Sequence, residues 1–129
     1  MNTATVVGLA LVAFVIGLGI ALLLHARRDR DPHAHARRLR EDARRFAKLL
    51  VSEAKLYNEQ LVTEGRGRHD LYDRLREDID QARAKYEKRV NGLLMDRDYF
   101  HDALVEILCE GDSQRLGVEY PGSRIHTVQ

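Results

Sequence analysis

The sequence predicts an all-α protein: one N-terminal transmembrane helix, a long helical hairpin with coiled-coil spacing in its second arm, and a short third helix. Three observations predict it. Residues 4–24 (ATVVGLALVAFVIGLGIALLL) are uncharged and mostly apolar. Beyond them, apolar side chains recur at helical spacing among many Arg, Glu, Leu and Ala. Between the first helix and the last twenty residues, the only glycines are 65, 67 and 92, with 111 at the far edge, where helices can stop.

The apolar run comes first. As a helix rising about 1.5 Å per residue it is roughly 31 Å long, close to the hydrocarbon thickness of a bilayer. A cleaved signal peptide would carry a positive segment before a shorter apolar core. Here no charged side chain precedes Arg27. Residues 1–25 are therefore expected to be a retained anchor rather than a signal or a buried soluble helix. Arg27, Arg28 and Arg30 follow it, so the positive-inside rule puts the N-terminus outside and the C-terminal helices in the cytoplasm. The expected location is a bacterial inner (cytoplasmic) membrane, crossed once. Ala13, Gly17 and Ala21 recur every four residues, a spacing that lets membrane helices approach closely.

Residues 26–31 form a basic juxtamembrane segment. Arg27, Arg28, Arg30, Arg37 and Arg38 are the expected lipid-headgroup contacts, each cation being worth about 1 kcal/mol near an anionic surface. Nucleic acid is not expected, because Asp29, Asp31, Glu41 and Asp42 interrupt the basic run and no aromatic residues interleave with it.

Residues 32–110 carry the helical hairpin and third helix. Asp31-Pro32 is a helix start, with an acidic cap and a residue preorganised for the first turn. Leu39, Ala43, Phe46, Leu50, Ala54, Tyr57 and Leu61 then make one apolar stripe, widened by Leu49 and Leu56. A stripe this wide needs a partner surface. Gly65 and Gly67 are expected to end the first arm near Glu64 and serve as a hinge. The second arm, from His69-Asp70 to Val90, places Tyr72, Leu75, Ile79, Ala82 and Tyr86 at heptad spacing. A short joint favours an antiparallel hairpin over two helices continuing in line. The expected helix interface is Leu39, Phe46, Leu50, Tyr57, Leu61, Tyr72, Leu75, Ile79 and Tyr86. Asn91-Gly92 reads as a turn, Asp98 as the cap of the third helix, and Gly111 as its stop. Residues 111–129 have no periodicity and read as an extended or disordered tail.

Chemistry is weakly specified. His33 and His35 are two apart and point away from each other on a helix, so no metal is expected. Cys109 and His101 are separated by about 12 Å along a helix, too far to act as a nucleophile and base. The thiol is expected to be a small, half-buried side chain on the apolar side of the third helix. No phosphate loop, nucleophile elbow or zinc spacing occurs. Neither catalysis, a cofactor nor a small-molecule substrate is expected.

Two blocks, residues 43–59 (ARRFAKLLVSEAKLYNE) and 70–90 (DLYDRLREDIDQARAKYEKRV), followed by Tyr99-Phe100, resemble segments of small bacterial single-span membrane proteins with a cytoplasmic helix-Gly-helix module. That group brings no activity with it. In architecture alone, one span followed by charged helices is similar to the b subunit of ATP synthase and to small cell-division scaffolds. Gly65 and Gly67 interrupt the long coil such a stalk requires. The function expected is a membrane-anchored helical scaffold or adaptor that contacts membrane lipid and binds a protein partner or itself as a homo-oligomer. The alternative is an accessory, stalk-like subunit of a multisubunit membrane complex.

Overall fold

The computed structural model describes residues 2–28, 31–93 and 95–125, apart from the side chains of Arg27 and Arg28. The described residues are helical or irregular, with no strand among them, and the all-α expectation holds. The chain divides into two units, residues 1–39 and 40–129.

In the first unit, α1 spans Thr3–Arg28 and α2 (Pro32–Tyr57) begins. Asp31 caps α2 as expected: its Oδ1 accepts the His33 N–H at 3.0 Å.

The second unit contains the rest of α2, then α3 (Glu59–Arg68), α4 (Leu71–Arg74) and α5 (Arg76–Val90). Asp42 pairs with Arg89 at 3.1 Å and Asn58 with Asp78 at 3.2 Å, so α2 and α5 run antiparallel. This is the expected hairpin. Its seam is real: Tyr72, Leu75, Ile79, Ala82 and Tyr86 are all buried, facing Ala43, Ala47, Leu50 and Val51 of α2 in one core. Arg89, at the next position of the heptad spacing, lies over the Phe46 ring at 4.5 Å.

The turn of the hairpin is built differently from the glycine joint that was expected. The first arm breaks at Asn58, not at Glu64. There the side-chain Nδ2 donates to the Ala54 carbonyl at 2.9 Å, while the backbone N–H moves to Lys55 O at 3.1 Å. A short amide competing for a helix carbonyl is a known way to break the ladder. The helix then runs through Gly65 and Gly67, which corrects their assignment as a hinge. Gly65 is a contact point, since a Cβ there would lie 2.7 Å from Cδ2 of Leu71. The chain reverses at His69, which takes a left-handed conformation (φ 56°) while the Asp70 N–H returns to Gly65 O at 3.2 Å. The second arm is also split, at Leu75, between α4 and α5.

A turn at Gly92 (φ 75°) leads to α6 (Tyr99–Ala103), whose cap is Asp98 as expected. The helix widens into a π-helical turn over Leu104–Leu108, where the Cys109 N–H bonds Leu104 O at 3.1 Å, five residues back. Arg66 reaches this turn from between the two glycines. Its Nε donates to Leu108 O at 2.6 Å and its Nη2 to Ile107 O at 3.0 Å. Phe100, Ala103, Leu104 and Leu108 close the core.

The stretch from Asp112 to Arg124, expected as part of an extended or disordered tail, is instead docked as a C-terminal strap. It forms a 3-10 turn at Ser113–Leu116 and buries Leu116. Gly117 (φ 90°) then passes so close to the hairpin turn that a Cβ would lie 2.6 Å from His69 O.

Candidate functional site

The α1 residues Ala13, Gly17 and Ala21 follow one another at single-turn spacing and are exposed. A Cβ placed on Gly17 would meet nothing within 4 Å, so the small face is open. Thr3–Ala26 is long and apolar enough to cross a membrane, and none of its most apolar window is buried. Of the basic residues, Arg37 and Arg38 are exposed on α2. Arg30 and the side chains of Arg27 and Arg28 lie outside the described residues.

The expected interface residues divide into three groups. Leu50, Tyr72, Leu75, Ile79 and Tyr86 are in the core, while Leu39 and Phe46 are half-buried. Tyr57 (76 % exposed) and Leu61 are outside it, together with Leu49 (63 %) and Leu56 (66 %). The cause is geometric. The wide stripe of α2 has two sides, and the α5 arm with α6 covers only one. Leu49 and Leu56, seven residues apart, stand two turns from each other on the uncovered side with Ser52 and Glu53 between them. Tyr57 flanks this face and edges a small groove of about 100 Å³ against α5.

The second feature is a buried polar cluster. Arg83 of α5 and Asp98 at the head of α6 have side chains only 7 % and 1 % exposed, and they pair at 3.1 Å. The guanidinium also lies over the Phe100 ring at 4.7 Å and donates to the Tyr120 hydroxyl at 3.2 Å. Asp98 accepts the Arg124 N–H at 2.7 Å and the His101 N–H at 3.1 Å. The Tyr120 hydroxyl shares a 2.9 Å hydrogen bond with Nδ1 of His101, and the two rings stack at 5.6 Å. Tyr72 meets Tyr120 edge-on at 5.4 Å. Burial works against ionising Asp98, but the N–H groups of Arg124 and His101 and the charge of Arg83 outweigh it and hold the carboxyl below its usual range. The cluster ties α5, α6 and the C-terminal strap together. Its charged groups are matched: Arg83 with Asp98 and Glu87, and Glu87 with Arg124.

In the sequence Asp98 stands only as a helix cap, and Arg83 has no visible role. The available signal was spacing, because Ile79, Arg83, Tyr86 and Val90 share an inward face. A charge on such a face requires a buried counterion.

Cys109 is fully buried, and burial, with Asp112 nearby, pushes its thiol up to about 11. It is thus almost wholly protonated at neutral pH. An open groove of about 960 Å³ runs between α2 and the π-helical turn. Its charges are joined by salt bridges, Lys48 to Glu106 at 3.0 Å and Arg97 to Asp102 at 3.0 Å. It therefore presents alternating signs instead of a field that would concentrate one ligand class. Among the described residues, no three His, Cys, Asp or Glu side chains converge on a metal-sized site.

In comparisons with known proteins, no family model matches the chain, and neither does any curated protein or any solved structure.

Proposed function

We propose that this protein is a membrane-anchored helical adaptor: α1 holds it in a cytoplasmic membrane, and the helical unit binds protein through the face that α5 leaves uncovered. The observation that carries the reading is the exposed pair Leu49 and Leu56, flanked by Tyr57, on an otherwise well-packed hairpin. Apolar side chains grouped on one face, rimmed by charge, are the usual mark of a protein contact. Confinement to a membrane raises the local concentration of such a face without any added contact. The positive-inside rule favours the helices on the cytoplasmic side, with Arg37 and Arg38 near lipid headgroups.

The stalk-like alternative has less support. The breaks at Asn58 and His69 leave α2, at 26 residues, the longest helix after the anchor, and a stalk needs a continuous rod.

Affinity purification of the full chain in mild detergent tests the reading. Recovery of a protein partner, or of a second copy, that is lost in a Leu49→Glu/Leu56→Glu variant is the expected result. A chain that stays monomeric and recovers the same proteins with or without the substitutions contradicts it.

A further inference from the structure

We propose that the occupant of the uncovered α2 face is the same face of a second copy, packed antiparallel about a two-fold axis that passes between Ser52 and Glu53. This rests on the adaptor reading and names its partner.

Symmetry and charge point the same way. Leu49 and Leu56 lie equally far on either side of the midpoint between Ser52 and Glu53. A two-fold axis there sets each Leu49 on the partner copy's Leu56. It sets Ser52 across from Glu53, so the hydroxyl can donate to the carboxylate. The face is also polar from end to end. Arg45, 78 % exposed and 3.4 Å from Glu41 of its own helix, marks the N-terminal end, and the exposed Glu59 opens α3 at the other. About that axis Arg45 falls opposite the partner copy's Gln60, one residue from its Glu59, at both ends of the contact. A parallel pair would set Arg45 on Arg45 and Glu53 on Glu53, and such like-charge contacts are costly.

Area is consistent with this occupant. The exposed parts of Leu49, Leu56, Tyr57 and Leu61 amount to roughly 450 Å² per copy, so their complete burial in two copies gives roughly 900 Å², the size of a weak, transient contact. That size suits a weak contact reinforced by membrane confinement. A bilayer surface fits less well, because Glu53 and Glu59 border the face and would oppose anionic headgroups.

Disulfide trapping of the full chain in native membranes tests the arrangement. Cys109 is buried and stays out of the reaction. Ser52→Cys, next to the axis, is expected to form a dimer under mild oxidation. Leu49→Cys alone is expected to give little dimer, because its two copies would be offset by about 10 Å along the helix, beyond the reach of a disulfide. Mixing Leu49→Cys chains with Leu56→Cys chains is expected to restore it. Arg45→Glu in the Ser52→Cys chain should lower trapping by about fivefold, and adding Glu59→Arg should recover it. Self-trapping of Leu49→Cys and of Leu56→Cys, as in a parallel pair, would overturn the proposal. So would the absence of any dimer from Ser52→Cys. If that absence is accompanied by co-purification of a different protein through the same face, the adaptor reading survives and only the second copy is excluded.

Discussion

Substituting alanine separately at Gly65 and Gly67 is expected to move stability in opposite directions. Both residues lie within α3, two positions apart, so helix propensity alone gives each substitution the same gain, about 1 kcal/mol. Their surroundings differ. At Gly67 an added Cβ meets nothing within 4 Å, so Gly67→Ala should keep the whole gain. At Gly65 it would lie 2.7 Å from Cδ2 and 3.1 Å from Cα of Leu71. The second contact is with backbone, so a rotamer change in Leu71 cannot relieve it. Overpacking of this kind costs about 1–3 kcal/mol, and moving the Leu71 backbone belongs at the upper end. Gly65→Ala should therefore destabilise by about 1–2 kcal/mol net, and the two variants should differ by about 2–3 kcal/mol. Thermal unfolding of the full chain in detergent, followed by circular dichroism, reads this as a Tm raised by about 4–8 °C for Gly67→Ala and lowered by a similar amount for Gly65→Ala. If both variants rise together, the close contact with Leu71 is absent. If both fall, the segment acts as the flexible joint its two glycines suggest.

Other consequences follow from the buried cluster and its neighbours. Asp98→Ala leaves the Arg83 guanidinium buried without its partner and should cost about 3–5 kcal/mol in the same unfolding assay; adding Arg83→Met should recover part of the loss. Because the folded state holds the Asp98 carboxyl below its usual range, its contribution is fully present above the ordinary value of about 4 and is lost as pH falls through the depressed one. The native chain should thus lose stability in acid more steeply than Asp98→Asn, as unfolding at stepped pH would reveal. Gly117→Ala combines a positive φ with a Cβ 2.6 Å from His69 O, and should lower Tm further than Gly67→Ala raises it. The Cys109 thiol should resist alkylation in the folded chain and react quickly in denaturant; rapid stoichiometric labelling of the folded chain would contradict its burial.

Features that depend on spacing were legible in the sequence. The seam from Tyr72 to Tyr86, the Asp31 and Asp98 caps and the antiparallel return are all local or periodic consequences of residue order. The turn was not, because glycine has two uses. Without a Cβ it permits unusual dihedrals, but it also permits close packing, and Gly65 uses the second. The actual breaks fall at Asn58, where a side-chain amide takes a helix carbonyl, and at His69, a non-glycine in the left-handed region. Neither residue type compels that conformation by itself. The docking of the C-terminal strap was equally hidden. It depends on Arg83, Asp98 and Tyr120, which are separated by 15 and by 37 residues from one partner to another. The candidate site lay between these cases: Leu49 and Leu56 were visible as a widening of the stripe, but only the placement of α5 shows which side of that stripe is left open.

The adaptor account stands on the anchor remaining attached to the helices. The most direct measurement is the intact mass of the chain recovered from carbonate-washed membranes. The account predicts a membrane-retained chain whose mass still includes residues 3–26. A chain found in the soluble fraction and beginning after Ala26 would contradict it, since the apolar helix would then be a signal and the helical unit would work on the other side of the membrane.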